Sequence, residues 1–157
     1  MSAAAVAAVA LTLAAAEPAA RAEPPFAGFC TVLEGIIAAE DQPSPFASLV
    51  TPQRYGNMEW SKLVVPGFEW CALRWIDRGR AVACSRTLAP PELTADTLAR
   101  ETAACLGLPP TPRAWDPNLG EMVFEYKAVR IVIEEDCDDR CHVGRRVGYT
   151  IEARRKP

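Results

Sequence analysis

Residues 69–88 read EWCALRWIDRGRAVACSRTL, and the way this stretch folds decides the architecture. Two short runs rich in β-formers, EWCALRWI and AVACSRTL, flank the segment DRGR. Gly79 in that segment is a turn signal, so the stretch reads as a β-hairpin. Side chains alternate along a strand. Cys71, Leu73 and Trp75 therefore share one face of the first strand, and Val82 and Cys84 share one face of the second. A two- or four-residue loop brings those faces to the same side of the sheet and sets Cys71 opposite Cys84 or one diagonal step away. A three-residue loop opposes them, so a Cys71–Cys84 bridge depends on the turn. On this reading Trp75 joins the core, while Trp70 points to the other side with Ala72 and Ile76.

Upstream, Phe26, Phe29, Cys30, Leu33, Ile36 and Ile37 recur at helical spacing. They predict an amphipathic helix over residues 26–40, with Cys30 inside its apolar stripe. Residues 41–57, DQPSPFASLVTPQRYGN, read as a loop. Downstream, residues 90–110 predict a second helix, with Thr94 as N-cap, Gly107 just past its end and Pro109 as a stop. Leu98 and Cys105 are seven apart and face the same way. Each helix thus offers one core-facing cysteine, and Cys30–Cys105 is the expected bridge between them.

The last third is β. Met122, Phe124 and Tyr126 are apolar at even positions, then Val129, Ile131 and Ile133 at odd ones, so a bulge or tight turn falls at Lys127-Ala128. The run 145–154 alternates again, with Val147, Tyr149, Ile151 and Ala153 on one face. Pairing Ile131 with Val147 and Val129 with Tyr149 sets Cys137 opposite Cys141, which predicts a third disulfide across Asp138-Asp139-Arg140. The elements follow the order helix–hairpin–helix–hairpin. They suggest one α+β domain: an antiparallel sheet of about five strands with two helices packed on one face, stapled by disulfides.

Residues 4–16 form an uncharged apolar run, too short to span a membrane, and Ala20-Arg21-Ala22 fits a signal-peptidase site, although no Lys or Arg precedes the run. Residues 1–22 are therefore read as a secretory signal and 23–157 as the mature domain, with no integral membrane segment. Six cysteines agree with a periplasmic or secreted location. Removing residues 1–22 takes away Glu17 and Arg21 and leaves the net charge at −3. That mild acidity offers no basic stripe for nucleic acid.

Motifs for chemistry are sparse. Cys137, Cys141 and His142 form Cys-x3-Cys-His, one residue longer than a c-type haem attachment motif and one ligand short of a structural zinc site. His142 is the single histidine, and the chain has neither Cys-x2-Cys nor a glycine-rich phosphate loop. Glu59, Glu69 and Glu125 are available as a carboxylate pair, but any acidic chain offers as many. No catalytic, metal or cofactor site is therefore assigned. The expected function is binding: a small exported protein, in its most concrete form an inhibitor or immunity-type protein acting on an envelope partner. Trp70 on the face away from the helices would contact that partner. The acidic tip Glu134, Glu135, Asp136, Asp138 and Asp139 would steer it, so the partner would be basic. The alternative is a periplasmic cofactor- or metal-bearing module using Cys137, Cys141 and His142.

Overall fold

A computed structural model describes residues 26–56, 58–77, 79–109, 114–116, 121–136 and 145–154. Helix α1 (Phe29–Ala38) leads into two short 3₁₀ turns, Ala39–Asp41 and Ala47–Leu49. Strands β1 (Val50–Tyr55), β2 (Met58–Ser61), β3 (Trp70–Ile76) and β4 (Gly79–Arg86) follow. Helix α2 (Ala95–Leu106) comes next, then β5 (Ala114–Asp116), β6 (Glu121–Tyr126), β7 (Val129–Asp136) and β8 (Arg146–Ala153). All eight strands form one antiparallel sheet in the order β1-β2-β3-β4-β8-β7-β6-β5. Seven of them are four residues or longer, and β5 is a three-residue edge strand.

The expectation of about five strands is therefore too low. Strand β1 arises from the stretch read as a loop, and β2 from residues just after it, for which no element is expected. Pro52 cannot donate to a ladder, which confines such a strand to a sheet edge, and β1 occupies one edge with a register shift between Val50 and Arg54. The phase flip at Lys127-Ala128 is a tight turn: Tyr126 pairs with Val129, and Lys127 takes a φ of 49°.

One face of the sheet meets the helices. Cys71 and Leu73 of β3, Val82 and Cys84 of β4, Met122 and Phe124 of β6, Ile131 and Ile133 of β7, and Tyr149 and Ile151 of β8 form one buried cluster with Phe29, Leu33 and Ile36 of α1 and Leu98, Ala99 and Ala103 of α2. Tyr149 is fully buried at the centre, edge-to-face with Phe29 at 5.9 Å. Its hydroxyl pairs with Thr102 Oγ1 of α2 at 2.7 Å, so the largest core side chain also satisfies its polar atom. Burial pushes this phenol well above its ordinary range.

Helix α2 begins at Thr94, whose side chain accepts from the Thr97 N–H while the Thr97 hydroxyl accepts from the Thr94 N–H, and it ends at Gly107 in the left-handed region (φ 64°). Glu135, at the far end of β7, accepts the Ala95 N–H at 2.7 Å and meets Arg145, whose guanidinium donates to the Pro90 and Leu93 carbonyls. The sheet thereby holds the helix by its entry turn.

The β3–β4 loop is two residues long, so Cys71 falls opposite Cys84, and these two are bonded. Cys30 and Cys105 are bonded across α1 and α2, 75 residues apart in sequence. Strands β7 and β8 pair in a different register from the expected one. Ile131 faces Ile151 and Ile133 faces Tyr149, where Ile131–Val147 and Val129–Tyr149 were expected. The four-residue shift is even, so every side chain keeps its face. The expected register would set Arg145 against Ile133 and leave Ile151 and Ala153 without partners. The observed one matches apolar with apolar from Val129–Ala153 through Ile133–Tyr149. With it goes the argument that set Cys137 opposite Cys141, and that predicted bridge lies outside the described residues, as does the predicted signal 1–22.

Chain-entropy arithmetic assigns about 4.5 kcal/mol to the helix–helix bridge and about 3 kcal/mol to the hairpin bridge. Replacing Cys30 and Cys105 together with alanine should therefore lower the unfolding free energy more than replacing Cys71 and Cys84. Equilibrium denaturation in urea measures both. The reverse order would show that the hairpin clip, rather than the helix layer, limits stability.

Candidate functional site

The end of the sheet where β3 turns into β4 carries an unusual group of side chains. Alternation places Trp75 on the helix side, but it is 76% exposed, which corrects the expectation that it is core. The reason lies across the hairpin. Trp75 pairs with Arg80, and Arg80 takes the buried position at 8% exposure. The Arg80 guanidinium pairs with the Glu59 carboxylate of β2 and donates to Ser44 Oγ and the Pro45 carbonyl at 3.3 and 3.4 Å. One face of the indole rests on it, 5.7 Å from ring centroid to guanidinium carbon. Glu59 is also met by Arg54 of β1 at 3.0 Å. Around these groups lies a cavity of about 590 Å³ lined by Arg54, Gly56, Met58, Glu59, Leu73, Arg74, Trp75 and Arg80.

The loop beneath Arg80 is itself fixed. Phe46 is completely buried, although its φ of 62° is a left-handed conformation that costs a non-glycine residue about 1–2 kcal/mol. Burial of the phenyl ring and a 2.8 Å hydrogen bond from Phe46 N–H to the Ala39 carbonyl offset that cost. Ser44 and Pro45 are thereby held where Arg80 reaches them.

The opposite face of the sheet carries Trp70, half-buried and packed edge-to-face against Trp60 at 5.4 Å. Across the sheet from Trp70 come Ser85, Gly148, Glu134 and Glu121. A Cβ on Gly148 would stand 3.2 Å from Glu134 Oε2, so the missing side chain makes room for Glu134 to lie over the sheet. Burial, then the charges of Glu121 and Glu152, pushes the Glu134 carboxyl above its ordinary range, partly offset by Arg74 and Arg130.

Two members of the expected acidic tip thus have other work: Glu134 lies over the sheet and Glu135 caps α2. Asp138, Asp139, Cys137, Cys141 and His142 lie outside the described residues. Among the described residues no group of three His, Cys, Asp or Glu side chains could hold a metal ion, and no helix is long and apolar enough to cross a membrane. Glu59, Glu69 and Glu125 each face an arginine: Glu59 meets Arg54 and Arg80, Glu69 meets Arg86, and Glu125 meets Arg154. The sequence did hold the signal for Trp75. The register that pairs Cys71 with Cys84 also sets Arg80 opposite Trp75, and a long cation is a poor core partner for an indole.

No family model, no curated protein and no solved structure matches the chain.

Because folding raises the Glu134 value, the protonated form is favoured by the fold and the ionised form opposes it. The opposition is absent below the ordinary carboxylate range and present above it. Glu134→Gln should therefore raise the thermal midpoint at neutral pH, and the gain should vanish at about pH 3. Calorimetry of both proteins across that range checks it. A gain of equal size at both ends would mean that the carboxyl charge is not what opposes folding.

Proposed function

We propose that this chain is a small exported binding domain that takes a macromolecular partner at the Trp75 end of its sheet. Its most concrete form is an inhibitor or immunity-type protein for an envelope partner. The observation that carries the reading is the support under Trp75: a largely exposed indole on a hydrogen-bonded strand, stacked on a guanidinium that Glu59, Ser44 and Pro45 hold in place. An aromatic group already fixed in place loses little conformational entropy on binding, and centrally placed tryptophans carry much of the free energy of protein interfaces. Two disulfides are compatible with an oxidising, exported location. Trp70, seated on Trp60, offers a second aromatic surface on the other face, and Asp138 and Asp139 remain the candidates for steering a basic partner.

The test begins with the mature protein as bait in its own envelope extract, followed by purification of the partner and direct binding measurements. Trp75→Ala should weaken binding by about 2 kcal/mol, roughly thirtyfold, mainly through faster dissociation. It should leave the thermal midpoint almost unchanged, because the side chain is exposed. Asp138→Lys with Asp139→Lys should slow association and flatten its salt dependence. A partner that binds Trp75→Ala like wild type would overturn the assignment of this surface.

A further inference from the structure

Trp75 is not alone in its exposure. Four large hydrophobic side chains are exposed among the described residues, and two of them, Met58 and Trp75, line the same cavity of about 590 Å³. Buried Leu73 adds to its apolar wall. An indole offers a flat apolar face and a methionine adapts to what is laid against it, so this wall suits a hydrocarbon side chain. By alternation Met58 and Arg74 belong to the other face of the sheet from Trp75, so the cavity runs round the end of β2.

The charged part of the lining is lopsided: three arginines and one glutamate, in a chain whose net charge is −3. Arg80 takes one oxygen of Glu59 and Arg54 the other. Arg80 is buried and is further engaged by Ser44 and Pro45. Arg54 differs. It meets Glu59 through one terminal nitrogen at 3.0 Å while its side chain stays 69% exposed, so much of its five-donor fork faces solvent. Arg74 is exposed as well and adds to the positive field. A guanidinium fork matches the geometry of a carboxylate. We infer that the element of the partner seated at Trp75 is an acidic-apolar segment of a protein. Its glutamate or aspartate carboxylate meets Arg54, and a neighbouring large apolar side chain packs on Trp75, with Met58 at the rim. The inference rests on the reading that Trp75 is the binding surface, and it names that surface's chemistry. A sugar acid shares the carboxylate, but its ring hydroxyls would lie unpaired against the apolar wall. Nor does an acidic contact here conflict with steering by Asp138 and Asp139. Ala81, Glu152 and Arg130 form one row across β4, β8 and β7 beside the Trp75–Arg80 pair. The exit of β7 at Asp136 lies about 20 Å further along the strand. The two preferences therefore address different parts of one partner.

The protein is titrated at low salt, with amide and indole shifts followed by NMR, against three blocked peptides that differ only at the centre: Ala-Leu-Glu-Phe-Ala, Ala-Leu-Gln-Phe-Ala and Ala-Leu-Lys-Phe-Ala. Tetragalacturonate serves as a sugar-acid probe. Saturable binding of the Glu peptide is expected, with shifts centred on Trp75 and Met58. The Gln peptide should bind about tenfold more weakly, the loss of one charged partner, and the Lys peptide more weakly still. Arg54→Gln, at an exposed position, should remove most of the advantage of Glu over Gln while leaving the Gln peptide unaffected, and Arg74→Gln should remove a smaller part. Trp75→Ala should weaken all three peptides alike. Peptides that bind equally well whatever their central residue, yet are lost in Trp75→Ala, would leave the Trp75 surface standing and overturn the acidic partner. A Glu preference that survives Trp75→Ala but is lost in Arg54→Gln would do the reverse. Preference for the Lys peptide, absence of saturable binding by the Glu peptide at millimolar concentration, or binding of tetragalacturonate in its place also overturns the inference.

Discussion

The guanidinium of Arg80 is where three separate stretches of the chain meet. It is buried, it is paired with Glu59 of β2, it donates to the Ser44–Pro45 segment, and it carries the indole of Trp75 on its face. A buried charge is tolerable only when its donors are satisfied. That requirement fixes β2 against the hairpin and holds the loop that follows α1 to the end of the sheet. It also accounts for the outward position of Trp75, since the buried place on that side of the strand pair is already taken.

The loop held by Arg80 has consequences further along. Its upstream half contains Glu40 and Asp41, and its downstream half contains Phe46, whose burial secures an unfavourable backbone conformation. The aromatic surface at Trp75 therefore rests on one constrained segment between α1 and β1. At the opposite end of the sheet Glu135 and Arg145 fasten the entry of α2, and the Cys30–Cys105 bridge ties that helix to α1. Both ends of the helix layer are clamped by these contacts.

Much of this is legible in the sequence. Alternation around Cys71 and Cys84 specified the central hairpin, and helical spacing with Thr94 and Gly107 marked α2 closely. The edge strands were not legible, because β1 contains Pro52 and polar residues and owes its ladder to β2 rather than to its own pattern. The β7–β8 register failed for a different reason. Apolar alternation is unchanged by an even shift, and only the full set of partners, with Arg145 excluded from the core, selects the observed pairing. Trp75 was misplaced because alternation names a face without saying where the helices above it stop. The arginine-lined cavity beside Trp75 left no local signature, since its walls come from β1, β2, β3 and β4 together.

The central claim is that Arg80, by occupying the buried position, holds the Trp75 indole out in water. Fluorine NMR of the protein labelled with 5-fluorotryptophan tests this directly, with each resonance assigned by single replacement and the solvent isotope shift compared between H₂O and D₂O. The Trp75 resonance should show a shift close to that of the free amino acid, larger than those of Trp60 and Trp70. A Trp75 resonance without an isotope shift would place the ring in the core and contradict the account.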